Sequence, residues 1–141
     1  MPVIFTWTDQ LVNSLPLERR AVEARTGVAL DLDRGNTNPY FDVFVGHGAA
    51  GSGLKRVELR QPKNGASRLG GLVIFDLDPT VLTIDHRQIP ARFGPDFAFE
   101  PPAAGPPDAP AYYLYRRPWG ELRFGWHRGT GRLLVVVIDA A

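Results

Sequence analysis

Residues 111–139 read AYYLYRRPWGELRFGWHRGTGRLLVVVID. They divide into three runs, Ala111 to Arg117, Glu121 to Trp126 and Arg132 to Asp139. Pro118-Trp119-Gly120 and Arg128-Gly129-Thr130-Gly131 separate them. Runs rich in β-branched and aromatic residues between Gly/Pro turns read as strands, and turns this short join antiparallel neighbours. The stretch is therefore a three-stranded meander. Its last run, Leu133 to Ile138, has no polar break. It is expected to lie centrally in a sheet with helices on one side.

Working toward the N-terminus, residues 95–110 hold six of the chain's 13 prolines and read as an irregular loop. Before it, Asp85 and Gln88 have capping-box spacing and introduce a short helical turn that ends at Gly94, with Ile89 and Phe93 facing the core. Leu72-Val73-Ile74-Phe75 reads as a strand buried on both faces. Val57 and Leu59 share one face of a strand whose other face carries Arg56, Glu58 and Arg60. Phe41, Val43 and Val45 alternate in the strand before that. Val28, Leu30 and Leu32 alternate with Ala29, Asp31 and Asp33 in another, and Arg34 to Pro39 supplies the turn between the two.

A helix is expected from Leu17 to Thr26, with Pro16 at its first position, Leu17, Ala21, Val22 and Ala24 on its apolar face, and Gly27 as its stop. A shorter one is expected within Thr8 to Ser14. Strand runs with few helices make the class α+β: an antiparallel meander sheet of about six or seven strands with one or two short helices on one face. Ala24-Arg25-Thr26-Gly27 echoes Ala91-Arg92-Phe93-Gly94, and an aromatic pair follows each, Tyr40-Phe41 and Tyr112-Tyr113. The echo suggests a duplicated helix–hairpin unit over residues 16–60 and 84–139 inside a single domain, 1–141.

The composition is that of an ordinary globule, 44% hydrophobic and 22% charged. Sixteen basic and fifteen acidic residues leave a net charge of +1, which argues against a dedicated nucleic-acid binder. The chain has no cysteine, so no disulfide or thiolate metal site is expected. The N-terminal residues lack the pattern of a signal peptide, and no apolar run is long enough to span a bilayer. The expected location is the cytoplasm, or the periplasm if a signal has been removed.

The residues that carry chemistry elsewhere form no recognised pattern here. His47, His86 and His127 have no metal-ligand spacing. Asp76, Asp78 and Asp85 offer oxygens but match no calcium loop, and read as turn and cap residues. Ser14, Ser52 and Ser67 sit in no nucleophile elbow. The Gly-rich stretch Gly46 to Gly53 precedes a strand and lacks a phosphate-loop lysine. No catalytic residue, metal or cofactor is therefore expected. The densest candidate surface is Tyr112, Tyr113, Tyr115, Arg116, Arg117, Trp119, Arg123 and His127, since Tyr, Trp and Arg dominate binding hot spots. Alternation sets Tyr112, Leu114 and Arg116 on one face and Tyr113, Tyr115 and Arg117 on the other. One set belongs to the core and the other to solvent.

A helix ending in Gly, a variable loop, an aromatic strand and a hairpin with an apolar last strand resembles the repeat of β-lactamase-inhibitor-like proteins and of small outer-membrane lipoproteins that assist barrel assembly. Ile89 to Gly94, Tyr112 to Tyr115, Leu122 to Trp126 and Leu133 to Asp139 carry the resemblance; the chain lacks the lipoproteins' lipidated Cys. The layout also resembles that of immunity proteins encoded beside bacterial toxins, although the chain is not strongly acidic. The absence of catalytic motifs, together with the Tyr, Trp and Arg enrichment near hairpin tips, points to a non-enzymatic protein-binding inhibitor, such as an immunity protein, that covers a toxin's or effector's active site. Residues 95–110 and the Trp119 hairpin would enter the cleft, and Arg116, Arg117 and Arg123 would pair with acidic groups. The alternatives are an envelope-associated structural module and a small enzyme built on the aspartates and a histidine.

Overall fold

The computed structural model describes residues 2–63, 70–102 and 109–140. Three helices are present: α1 (Val3–Val12), α2 (Arg19–Thr26) and α3 (Gln88–Phe93). Eight strands are present: β1 (Asp31–Leu32), β2 (Phe41–His47), β3 (Leu54–Pro62), β4 (Leu72–Leu77), β5 (Ala98–Glu100), β6 (Ala111–Arg117), β7 (Gly120–Trp126) and β8 (Leu133–Asp139). They form one antiparallel sheet in the order β1-β2-β3-β4-β8-β7-β6-β5. Two four-stranded meanders thus lie side by side, each preceded by helix, and meet where β4 pairs with β8. The fold is α+β with an open sheet.

The helices cover one face. Val57, Leu59, Val73, Phe75, Leu122, Phe124, Val136 and Ile138 project from it and join Ile4, Phe5, Leu11, Leu17, Val22 and Ile89 in one core. Phe124 is its aromatic centre, with ring centroids 4.8 Å from Phe93 and 6.0 Å from both Phe5 and Tyr115. Residues Val28 and Leu30 pack over Gly46, where a Cβ would collide with Val28 and the Ala29 carbonyl. Glycine there lets the segment after α2 lie flat on the sheet.

Local signals set the helix ends. Gly27 closes α2 at φ +72°, a left-handed conformation that suits glycine. Ahead of α3, the Asp85 N–H donates to Gln88 Oε1 at 2.9 Å, half of a capping box. The Asp85 carboxylate instead accepts the Arg87 N–H and guanidinium, which hold its pKa down at about 2.

Several sequence expectations change. The sheet has eight strands: one edge is Asp31–Leu32, inside the run that alternation predicts, and the unexpected strand is at the other edge, Ala98–Glu100. The latter lies inside the Pro-rich run, where Ala98, Phe99 and Glu100 still find Leu114, Tyr113 and Tyr112 as partners. Val28 and Leu30 are buried as the alternation predicts, but only two residues of that segment join the sheet. Helix α1 starts at Val3, well before Thr8, and buries Ile4 and Phe5. Pro16 follows a cis peptide in the turn ahead of α2 rather than opening the helix. In β4 only Val73 and Phe75 of the expected run are fully buried, because among the described residues no helix covers the side bearing Leu72 and Ile74.

Replacing Phe124 by Ala should cost about 3–5 kcal/mol of stability through the cavity it leaves. A urea unfolding midpoint lowered accordingly, with unchanged slope, checks it.

Candidate functional site

Among the described residues no helix packs on the second face of the sheet, and the alternation of the strands decides what it displays. One row crosses all eight strands: Asp31, Val45, Glu58, Ile74, Val137, Arg123, Leu114 and Ala98 are successive cross-strand partners. On one side of it runs His47, Arg56, Asp76, Val135, Gly125, Tyr112 and Glu100. On the other runs Val43, Arg60, Leu72, Asp139, Glu121 and Arg116.

Charge on this face is organised into two networks. On β3, the Glu58 carboxylate accepts from Arg56 at 3.0 Å and from Arg60 at 2.8 Å, an acid between two bases. On the other half, Arg123 lies 3.1 Å from Glu121 and 3.3 Å from Glu100, a base between two acids. Arg116 adds a looser contact to Glu121 at 3.7 Å. Burial opposes the Arg123 charge. The Glu121 hydrogen bond and the fields of Glu100, Glu121 and Asp139 outweigh it and raise the guanidinium pKa. Between the networks lie the side chains of the β4–β8 seam, chiefly Leu72, Ile74, Val135 and Val137.

Two clefts open on the same face. The larger, about 880 Å³, is lined by His47, Lys55, Arg56, Ile74, Asp76, Tyr112, Val135 and His127 among others. The Tyr112 ring lies over Gly125, where a Cβ would meet both Tyr112 and Val135. Asp76 sits half-buried in this cleft. Desolvation raises its pKa above the ordinary 3.8, against the opposing fields of Arg56 and Lys55. Burial likewise raises the Tyr112 phenol, with Asp76 and Glu100 adding to it and Arg123 opposing. The second cleft, about 600 Å³, lies between Asn36, Asn38, Val43, Arg60, Leu72 and Asp139.

The residues singled out in the sequence divide between the two faces. Tyr112, Arg116 and Arg123 lie on the open face, and His127 lines its larger cleft. Tyr113, Tyr115 and Arg117 lie on the helix side. Tyr115 is fully buried, donates to the Gly94 carbonyl at 2.8 Å, and has its phenol pushed up to about 12 by burial, so no partner can reach it. Arg117 stacks on its ring at 5.2 Å and donates to the Phe93 carbonyl. Trp119 folds back against the core instead of standing free at the hairpin tip. The eight residues therefore do not form one surface. Of the Pro95–Pro110 segment expected to enter a cleft, residues 103–108 lie outside the described residues.

The other candidates take structural places. Asp78 accepts the Thr80 N–H and hydroxyl in a turn, and Asp85 accepts the Arg87 N–H ahead of α3 rather than capping it, since the N-cap is Arg87 and no side chain caps the helix; Asp76 alone of the three is on the open face. His127 Nδ1 accepts the N–H groups of Gly129 and Thr130 and shapes its turn. His86 stacks on Trp126 at 4.3 Å with Nδ1 2.9 Å from the Tyr113 hydroxyl. Ser14 bonds the Gln10 carbonyl at the end of α1, Ser52 bonds within its loop, and Ser67 lies outside the described residues. Among the described residues no three His, Asp or Glu groups gather to hold a metal, and no helix is long and apolar enough to cross a membrane. Glu58, Arg60 and Ile74 went unselected in the sequence. Their signal was the alternation itself, since Arg56, Glu58 and Arg60 share the face opposite Val57 and Leu59.

No protein-family model, curated protein or solved structure matches the chain.

Because Asp76 has a raised pKa in the fold, its protonated form contributes stability below the unfolded value of about 3.8 that is lost as pH rises through the folded pKa. Asp76→Asn should therefore stabilise the protein relative to wild type at pH 7, and this pH-dependent gain should vanish below pH 3.8. Urea midpoints of both proteins across that range check the sign.

Proposed function

We propose that this chain is a non-enzymatic binding protein that inhibits another protein, of the kind that neutralises a bacterial toxin or secreted effector, by laying the open face of its sheet over the target. The observation that carries this reading is an eight-stranded face on which no helix packs among the described residues, where Leu72, Ile74, Val135 and Val137, with Asp76 and Asp139 among them, lie between two arginine–carboxylate networks. Apolar centre and charged surround is the composition of a protein interface. A layer of helices on the opposite side makes the face rigid, so little ordering entropy is lost on binding.

The contact surface is therefore moved from the hairpin tip to the sheet. Tyr112 and Arg123 keep the roles the sequence suggested, as aromatic and guanidinium anchors. Tyr115 and Trp119 give theirs up to the core. Inhibition would be steric: a face this broad covers an active-site entrance without donating a catalytic group. The rival reading of a small enzyme retains only Asp76 of its three aspartates, with His47 and His127 on the same cleft.

Capture of a partner from an extract of the source organism, followed by affinity measurement on variants, tests the proposal. Tyr112→Ala and Arg123→Ala should each weaken the complex by about 2 kcal/mol or more. Arg20→Ala on the helix side should leave affinity unchanged, and the captured enzyme should lose activity on binding. Full affinity in both open-face variants, or an unimpaired captured enzyme, would sink the reading.

A further inference from the structure

The larger cleft is built by two irregularities of the sheet, one on each strand beside β4. On β3, Leu54 pairs with Leu77 and Arg56 with Asp76, so Lys55 is an extra residue with no counterpart on β4. On β8, Leu133 pairs with Trp126 and Val135 with Gly125, so Leu134 is an extra residue with no counterpart on β7. Each is a β-bulge, which breaks the two-residue alternation and re-aims a side chain. Leu54 and Val57 are buried in the core, and both residues between them line the cleft. Leu133 and Val136 are likewise buried, and Leu134 and Val135 both line it. The bulges thus give the open face two adjacent cations on one side of β4 and two adjacent apolar side chains on the other.

Between them stands Asp76, which pairs with Arg56 on one side and Val135 on the other. Arg56 donates to Glu58 at 3.0 Å instead of to Asp76. Lys55 is near enough for its field to act on Asp76, yet the two form no ion pair. Among the described residues the Asp76 carboxylate, the Lys55 ammonium and the His47 imidazole have no side-chain hydrogen bond or ion pair. A half-buried carboxylate without a donor carries a desolvation cost that a ligand's donor would remove.

We propose that this cleft binds a free α-amino acid with an apolar side chain, its ammonium on Asp76, its carboxylate on Lys55 and His47, and its side chain on the shelf of Leu134 and Val135 beside the Tyr112 ring. An ammonium and a carboxylate on one carbon match an unpaired acid and an unpaired base that share an opening without touching. A ligand of a single charge satisfies only one of them. The cleft, about 880 Å³, has the size of a small-ligand site and its composition, an apolar lining with a few placed polar groups. The site is independent of the inhibitor reading, since it needs no second protein.

Titration of the purified chain with L-phenylalanine, L-leucine and L-tryptophan, followed by amide chemical shifts, tests it. At least one of them should shift the amides of Lys55, Asp76 and Leu134 with a Kd of about 1 mM or tighter, the range open to so small a ligand. The N-acetyl derivative of that amino acid lacks the ammonium and stands in for a peptide C-terminus. Its carboxamide lacks the carboxylate and stands in for a peptide N-terminus. Both should bind about tenfold more weakly or worse, because each leaves one charged group of the cleft unpaired. Asp76→Asn should weaken the free amino acid about tenfold and leave the N-acetyl derivative unaffected. Lys55→Gln, at an exposed position, should weaken the free amino acid about fivefold and leave the carboxamide unaffected. No shift at these residues with any of the three amino acids at about 20 mM, either derivative binding as tightly as its parent, or affinity indifferent to both substitutions, would overturn the proposal. Failure here leaves the inhibitor reading standing, and failure to capture a protein partner leaves this site standing.

Discussion

Five residue pairs, from Leu72 with Asp139 to Asp76 with Val135, hold β4 against β8. Among the described residues no other ladder of the sheet joins the two halves of the chain, because every other ladder lies within one meander. This ladder connects residues some sixty positions apart, so it closes the longest loop among the sheet contacts and its entropy must be met by burial. Val73, Phe75, Val136 and Ile138 supply that burial on the helix side, all fully inaccessible. The core thus spans the seam, and α1 straddles it, with Trp7 beside Phe75 and Phe5 beside Phe124.

From that seam follows the difference between the faces. Helices sit on the side where β4 and β8 present their bulkiest apolar residues. The other side presents Ile74 and Val137 flanked by charge. Glu58 with its two arginines and Arg123 with its two glutamates are paired within the chain, which keeps them from being stranded when water is excluded. Asp76 differs from them: it is half-buried in the larger cleft, and desolvation raises its pKa.

Much of this layout is legible in the chain. The three C-terminal strands stand nearly where alternation and turns place them, and Gly27 stops its helix for the stated reason. The edge strands are unevenly legible. Asp31–Leu32 lies within the run that alternation marks, though only these two residues join the sheet; Ala98–Glu100 is hidden among prolines and owes its state to its neighbour β6. The candidate site is half legible for a related reason. Alternation separates Tyr112 and Arg116 from Tyr113 and Arg117, but only the position of α3 decides which set is covered. A residue count sees Tyr115 as a binding aromatic; the Gly94 carbonyl and the Phe93 and Phe124 rings make it a core residue.

The brevity of those edge strands has a consequence for solubility. A sheet grows into fibrils by adding strands to an exposed edge, and long flat edges are the templates for it. Here β1 offers two residues and β5 three, with Pro101 and Pro102 directly after the latter to withhold donors. Chains that meet side by side find almost no ladder to extend. Unlimited addition of strands at the two ends of the sheet is thereby disfavoured.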